Sequence, residues 1–155
     1  MENQMNQANQ TDQTNQTIQL LEECSSGCKI ALNSLKQMQR NITNPHFKQL
    51  VEDYIGKHAN LEKEAGALLG QYGKSQKEPG AGTTLMSWTM AEMKMMMKKG
   101  DGQIAKLLMD GCNMGIKTLS QAVNQYSNAS KESFSLADCI IKAEEDFLGE
   151  AKLYL

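Results

Sequence analysis

The sequence has little of what membrane, secreted or β-sheet proteins require. No apolar run approaches the roughly 20 residues that span a bilayer. No basic region followed by a hydrophobic stretch opens the chain, so we expect no standard secretion signal and a cytoplasmic location. Aromatic residues make up only 5% of 155 residues, and Val, Ile, Tyr and Phe, which strands favour, are sparse.

Charge and motifs exclude several further classes. The formal net charge is −2 and no long basic block is present, which disfavours nucleic-acid and anionic-membrane binding. The sequence contains no phosphate-binding glycine loop, no Cys-x-x-Cys pair and no Ser/His/Asp set with a plausible base. We therefore expect no enzymatic activity of these kinds. The four cysteines suit free thiols in a reducing cytosol better than a disulfide framework.

What the sequence does contain is helix formers, chiefly Ala, Leu, Met, Gln, Glu and Lys. Residues 1–16 are nearly all Asn, Gln and Thr without apolar periodicity, so we predict a disordered tail there. Gln tolerates helix, and part of this tail can extend the first helix. Residues 17–155 are predicted to form one helical domain.

Four long stretches in this domain repeat apolar residues at a spacing of three and four, which is typical of one buried helix face. The first begins near Ile18, and Asn44 with Pro45 supplies the cap and first position of the second. Asp101 is predicted to cap the third. Residues 127–130 break the pattern before the fourth.

The connections predict the topology. Short turns join the first helix to the second and the third to the fourth, so each pair forms an antiparallel hairpin. A connection of roughly 30 residues joins the hairpins and can run the length of the bundle, as in ferritin-like folds. It contains a predicted short helix over residues 84–98, whose amphipathic pattern predicts that Trp88 is buried. We therefore predict an all-α, ferritin-like four-helix bundle with one long crossover and a short extra helix.

Three segments strengthen this interpretation: GKHANLEKEAGALLGQYG, SWTMAEMKMMMKKGDGQIAKLLMDGCNMG and DCIIKAEEDFLGEAKLYL. With the helix lengths and the crossover, they resemble a bacterial ferritin-like family distantly related to rubrerythrin, with a weaker likeness to F-type spore-coat proteins. The resemblance covers about residues 18–155. It implies a four-helix bundle and a di-iron site built from a Glu on each of two helices and a Glu-x-x-His on each of the other two.

The residues for that di-iron site are missing from the sequence. No Glu-x-x-His occurs in the chain. At the two positions where it would be expected, Ile55 stands three residues before His58, and Phe147 stands three residues after Glu144. The third long helix has no Glu. We therefore expect no ordinary six-ligand di-iron site and no ferroxidase activity.

Polar and ligating residues nevertheless lie on the predicted inward faces. In the predicted topology five of them fall within roughly one to two helical turns along the bundle axis. Cys, His and carboxylate ligands together suit Zn²⁺, Fe²⁺ or Co²⁺, so this set is our candidate metal site. The alternative is a metal-free buried His–Glu pair, a structural relic of an ancestral site. The candidate ligands are Cys28, His58, Glu62, Cys112 and Glu144.

A methionine-rich segment lies in the connection. Met86, Met90, Met93 and Met97 form one stripe, which predicts core packing or, with nearby thiols, a Cu(I) site. Met95 and Met96 leave that stripe. We therefore predict a protein partner or self-association as a dimer at the Met-rich crossover. Cys139 lies off its helix stripe and is predicted to be a surface or subunit-contact thiol.

These features predict a structural or interaction protein with a vestigial core site. The alternative is a metal-binding protein that holds iron or zinc through the core residues, or copper through Cys and Met. Coat-type assembly, in which the surface carries the function, is a third possibility.

Overall fold

A computed structural model describes residues 1–77 and 90–155, and within them the chain is all-helical with no strand. The predicted all-α class is confirmed. The short α3 lies within the long connection, as predicted, and a 3-10 turn at Lys152–Tyr154 follows α5. The helices are α1 (Glu2–Gln39), α2 (Pro45–Gln71), α3 (Met90–Met97), α4 (Asp101–Gln125) and α5 (Lys131–Ala151).

The N-terminal segment differs from the predicted disorder. Helix α1 begins at Glu2, so residues 2–16 continue the helix that packs in the core. Their side chains are exposed up to position 15. The side chains of Asp12 and Gln16 accept hydrogen bonds of 2.9 Å from Asn128 at the α4–α5 turn. Extending an existing helix by one residue adds a hydrogen bond without a new nucleation cost. The lack of apolar burial predicted disorder, but this cooperativity is sufficient to continue the helix through the segment.

Hydrogen bonds near the α1–α2 turn test two predicted helix caps, Asn44 for α2 and Asp101 for α4. The Asn44 side chain accepts from the backbone N–H groups of His46 and Phe47 at 2.9 and 3.1 Å, which confirms the cap of α2. The predicted cap at Asp101 is wrong. Gly100 is the N-cap of α4, and the Asp101 carboxylate instead accepts from the backbone N–H groups of Thr43 and Asn44.

Contacts at the two ends of the molecule give the helix directions. Helix α1 packs most extensively on α2, and α4 on α5, while α2 also packs on α5 and α1 on α4. Asp101 lies against Thr43, so α4 begins where α1 ends. Ser130 N–H donates to Thr17 Oγ1 at 2.8 Å at the other end. The connection from α2 to α4 therefore starts at one end of the molecule and finishes at the opposite end.

The short helix α3 packs on α4. Met97 is buried and Met96 packs against the core, whereas Met95 is 68% exposed. The predictions for Met86 and for burial of Trp88 concern residues outside the described part of the chain. No helix in the described ranges is both long and apolar enough to cross a bilayer.

The apolar core consists of two clusters, one toward each end of the helices. One is built around Phe47, Val51 and Ile104, and the other around Leu20, Leu69 and Leu136. Polar residues lie between them, because His58 and Glu144 are buried in the middle of α2 and α5. This central position defines the candidate site.

Candidate functional site

A buried histidine–glutamate contact lies at the centre of the site. His58 is fully buried on α2 and Glu144 is 6% exposed on α5. Their side chains meet with His58 Nε2 2.8 Å from Glu144 Oε1. The contact arises because both residues occupy the inward stripes of two helices that run antiparallel. The prediction that these two residues face each other is borne out by this distance.

Tyr54 completes the site, although its place in the apolar spacing of α2 predicts only a core aromatic. Its hydroxyl donates to Glu144 Oε2 and lies 3.4 Å from Cys112 Sγ. Tyr54 precedes His58 by one helical turn, so both present to the same neighbour. A buried tyrosine hydroxyl usually finds a hydrogen-bond partner, and that was the signal available in the sequence.

The hydrogen bonds determine the charge of the His58–Glu144 pair. His58 Nδ1 lies 3.3 Å from the backbone carbonyl of Tyr54, which only accepts, so Nδ1 carries a proton. One further proton lies between Nε2 and Oε1. Whichever atom holds it, the pair has no net charge, either as imidazolium with carboxylate or as imidazole with carboxylic acid.

The buried thiols around this pair are neutral. Burial, followed by the negative charges of Glu144 and Glu62, raises the pKa of Cys28 to about 12. Burial and then Glu144 raise the pKa of Cys112 well above its usual range. Burial likewise raises the pKa of Cys24. Because a metal binds the thiolate, these thiols must lose protons against this tendency before they can act as ligands.

The five predicted ligands are placed unequally around the site. His58 and Glu144 are in direct contact, and Cys112 joins them through the Tyr54 hydroxyl. Cys28 is buried and close enough for the charge of Glu144 to affect its pKa. Glu62 is only half-buried, and its backbone carbonyl accepts from the Gln76 side chain at 2.8 Å. In residues 1–77 and 90–155, no three His, Cys, Asp or Glu side chains are arranged to hold a metal ion.

The donors also do not fit the di-iron site that the family resemblance implies. Helix α4 has no Glu, and the aromatic ring of Phe147 stacks on Tyr54 with the ring centroids 4.3 Å apart. On α4, a Cβ atom added to Gly115 would lie 3.6 Å from the Glu144 carboxyl carbon. An apolar ring and a glycine thus border the carboxylate where further ligands would be needed.

The four cysteines are free thiols. Cys24, Cys28 and Cys112 are buried, and Cys139 is exposed on α5 as its position off the stripe predicted. Cys24 and Cys28 lie one turn apart on α1, a spacing unsuited to a relaxed disulfide.

In the described residues, every buried side-chain nitrogen or oxygen has a hydrogen-bond partner. The central cluster of Tyr54, His58, Cys112 and Glu144 is therefore satisfied by the protein itself. No protein-family model matches the chain, and no curated protein or solved structure matches it either.

Proposed function

We propose that the chain is a ferritin-like bundle that performs no di-iron chemistry and acts as a structural or interaction protein. The hairpin pairing, the connection between opposite ends of the molecule and the short α3 support the ferritin-like topology. The donor set around Glu144 argues against di-iron chemistry. The central cluster is then a structural remnant that holds α2, α4 and α5 together.

One observation carries this proposal, namely the way the cluster uses its own hydrogen-bonding groups. Both nitrogens of His58 and both oxygens of Glu144 have partners within the protein. A metal ion would have to replace the His58–Glu144 hydrogen bond, because Nδ1 faces a carbonyl and is not available. Neutral thiols are poor replacements for that bond. The cluster therefore fits a role in packing and register better than a role in catalysis.

Metal analysis of untagged protein tests the proposal. The protein is purified without nickel, dialysed against metal-free buffer, and its iron, zinc and copper contents are measured per chain. We expect less than about a tenth of an equivalent of each metal, and the same thermal unfolding curve with and without chelator. A stoichiometric metal whose removal lowers the melting temperature would overturn the proposal, because a site formed on folding couples binding to stability.

A metal-binding function is the second candidate, and the convergence of His58 Nε2 and Glu144 Oε1 near Cys28 favours it. Zinc titration of the apoprotein distinguishes a metal-binding function from a structural one. A functional site predicts that Cys28→Ser weakens zinc binding, whereas the exposed Cys139→Ser leaves it unchanged. Equal effects of both substitutions would refute binding in the core.

Self-association through α3 remains part of the proposal. Met95 on this helix is 68% exposed, and exposed methionines are frequent at adaptable protein surfaces. If the chain dimerises there, Met95→Lys should shift the mass measured by light scattering toward the monomer. Met114→Lys on α4 is the matched control, since Met114 is also exposed. A dimer unaffected by Met95→Lys would exclude this face.

A further inference from the structure

A cleft of about 380 Å³ opens between α1 and α4. Its walls are mostly aliphatic side chains, among them Ile30, Leu35 and Leu119. Tyr54, Cys112 and Glu144 form its buried polar end. The other polar residues of the lining are Glu23, Ser26, Ser34 and Thr118. A cleft of this volume, lined mostly by apolar side chains with a few polar groups at its buried end, has the composition of a small-molecule site.

Small residues on both helices keep the cleft open. Gly27 and Ala31 line it on α1, and Gly111 and Gly115 line it on α4, each pair one turn apart. A Cβ atom added to Gly27 would meet no heavy atom within 4 Å. The space in front of Gly27 is therefore open, and helix–helix contact does not explain why a glycine stands there.

The polar lining has unused acceptor capacity. A carboxylate offers about four acceptor positions, whereas the protein supplies Glu144 with three hydrogen-bonding neighbours, Tyr54, His58 and Cys112. Glu144 is mostly buried yet lines the cleft, next to Gly115. A molecule in the cleft can therefore donate a hydrogen bond to Glu144 without displacing any of these neighbours.

Charge and size restrict the class of molecule. The His58–Glu144 pair has no net charge, so the buried end of the cleft offers neither a cation nor an anion a counter-ion. Glu23 also lines the cleft but is exposed, and solvent screens the charge of an exposed carboxylate. Most of the remaining lining is apolar and suits an apolar body. A dry cavity of roughly 150 Å³ holds one benzene ring, and a cleft of about 380 Å³ holds a body at least twice that size.

We propose that the cleft between α1 and α4 binds a neutral, mainly apolar small molecule of about two fused rings in size, with one hydroxyl that donates to Glu144. This function is independent of the metal question, since it uses the cluster as it stands. The residues at the polar end position the hydroxyl, and the aliphatic walls exclude water from the body.

Four probes with one ring system test the class of head group. They are 2-naphthol, 2-methoxynaphthalene, 2-naphthoate and 2-naphthylmethylammonium, and binding is followed by their fluorescence or by calorimetry. We expect 2-naphthol to bind roughly tenfold tighter than 2-methoxynaphthalene, the factor for one hydrogen bond to a charged or proton-sharing acceptor. The two charged probes should bind more weakly still. Equal binding of the naphthol and its methyl ether, or tighter binding of either ion, would overturn the head-group assignment.

Filling the cleft tests its location. Gly27→Leu places a branched side chain in the open space, and replacing a mid-helix glycine also favours the helix. We expect this variant to melt no lower than wild type and to bind 2-naphthol at least tenfold more weakly. The matched control is Gly56→Leu, a mid-helix glycine of α2 with no heavy atom within 4 Å of its added Cβ and outside the cleft lining. The site would be refuted if Gly27→Leu bound 2-naphthol as tightly as the wild type does, or if the wild type did not bind 2-naphthol.

Discussion

Removing either partner of the His58–Glu144 contact should destabilise the fold by different amounts. In His58→Leu, Glu144 loses one donor but keeps the Tyr54 hydroxyl and can take up a proton. The expected loss is about 1–3 kcal/mol of unfolding free energy. In Glu144→Leu, two donors lose their acceptor at once, and breaking a buried pair in this way costs about 3–5 kcal/mol.

The double variant separates contact from coincidence. With both side chains replaced by leucine, only the Tyr54 hydroxyl still lacks its acceptor, so the loss should again be about 1–3 kcal/mol. The double variant should thus be at least about 1 kcal/mol more stable than the sum of the single losses predicts. Glu144→Gln keeps a donor and an acceptor at the same position. Glu144→Gln should lose less unfolding free energy than Glu144→Leu does. It keeps the test usable if the leucine variant does not fold.

Urea unfolding followed by far-UV circular dichroism measures these free energies, with chelator in every sample so that metal binding does not contribute. A control cycle pairs His58→Leu with Asp101→Ala. Asp101 contacts Thr43, just before the start of α2, about 20 Å from His58 at 1.5 Å per helical residue. The control should be additive. Additivity of the His58 and Glu144 changes within about 0.5 kcal/mol would refute an energetic contact between them, and equal losses in the two single variants would refute the dependence of Tyr54 on Glu144.

Four further outcomes follow from other parts of the molecule. The pKa of Cys28 is raised to about 12 by burial and then by the charges of Glu144 and Glu62, so the folded protein holds a proton that the unfolded chain releases near pH 9. This thiol should add no pH dependence to the stability measured by urea unfolding below that pH, and above it should lower the stability by about 1.4 kcal/mol per pH unit; a flat profile from about pH 9 to about pH 11 would contradict the burial. A thiol reagent should modify one cysteine, Cys139, in the native protein and four after unfolding, as read by mass spectrometry; rapid modification of a second thiol would show that the core opens. Desolvation tends to raise the pKa of Asp101, but hydrogen bonds from Thr43 and Asn44 lower it by more. Loss of these hydrogen bonds in Asp101→Ala should cost about 1 kcal/mol at neutral pH, a difference from wild type that disappears as the pH falls below about 4. Deleting residues 1–10, which are exposed, should leave the melting temperature within about 2 °C of wild type; a larger loss would show that this part of α1 packs on the bundle.

Much of the fold was determined by the sequence alone. The spacing of apolar residues predicted the long helices, because a helix that buries one face requires that period. Asn44 with Pro45 predicted the start of α2, since both the cap and the ring geometry of proline act locally. The central polar pair was also predictable, because His58 and Glu144 interrupt otherwise apolar stripes.

Tertiary structure decided how these residues are used. Asp101 had the local properties of a cap, yet the turn between α1 and α2 lies beside it and offers two backbone N–H groups. Tyr54 had the pattern of a core aromatic, and only the register of α2 against α5 gave its hydroxyl a carboxylate. The cleft beside Gly27 depends on the separation of α1 and α4. A stripe of small residues fits close helix contact as well as an open cleft, and the packing of the whole bundle chooses between them.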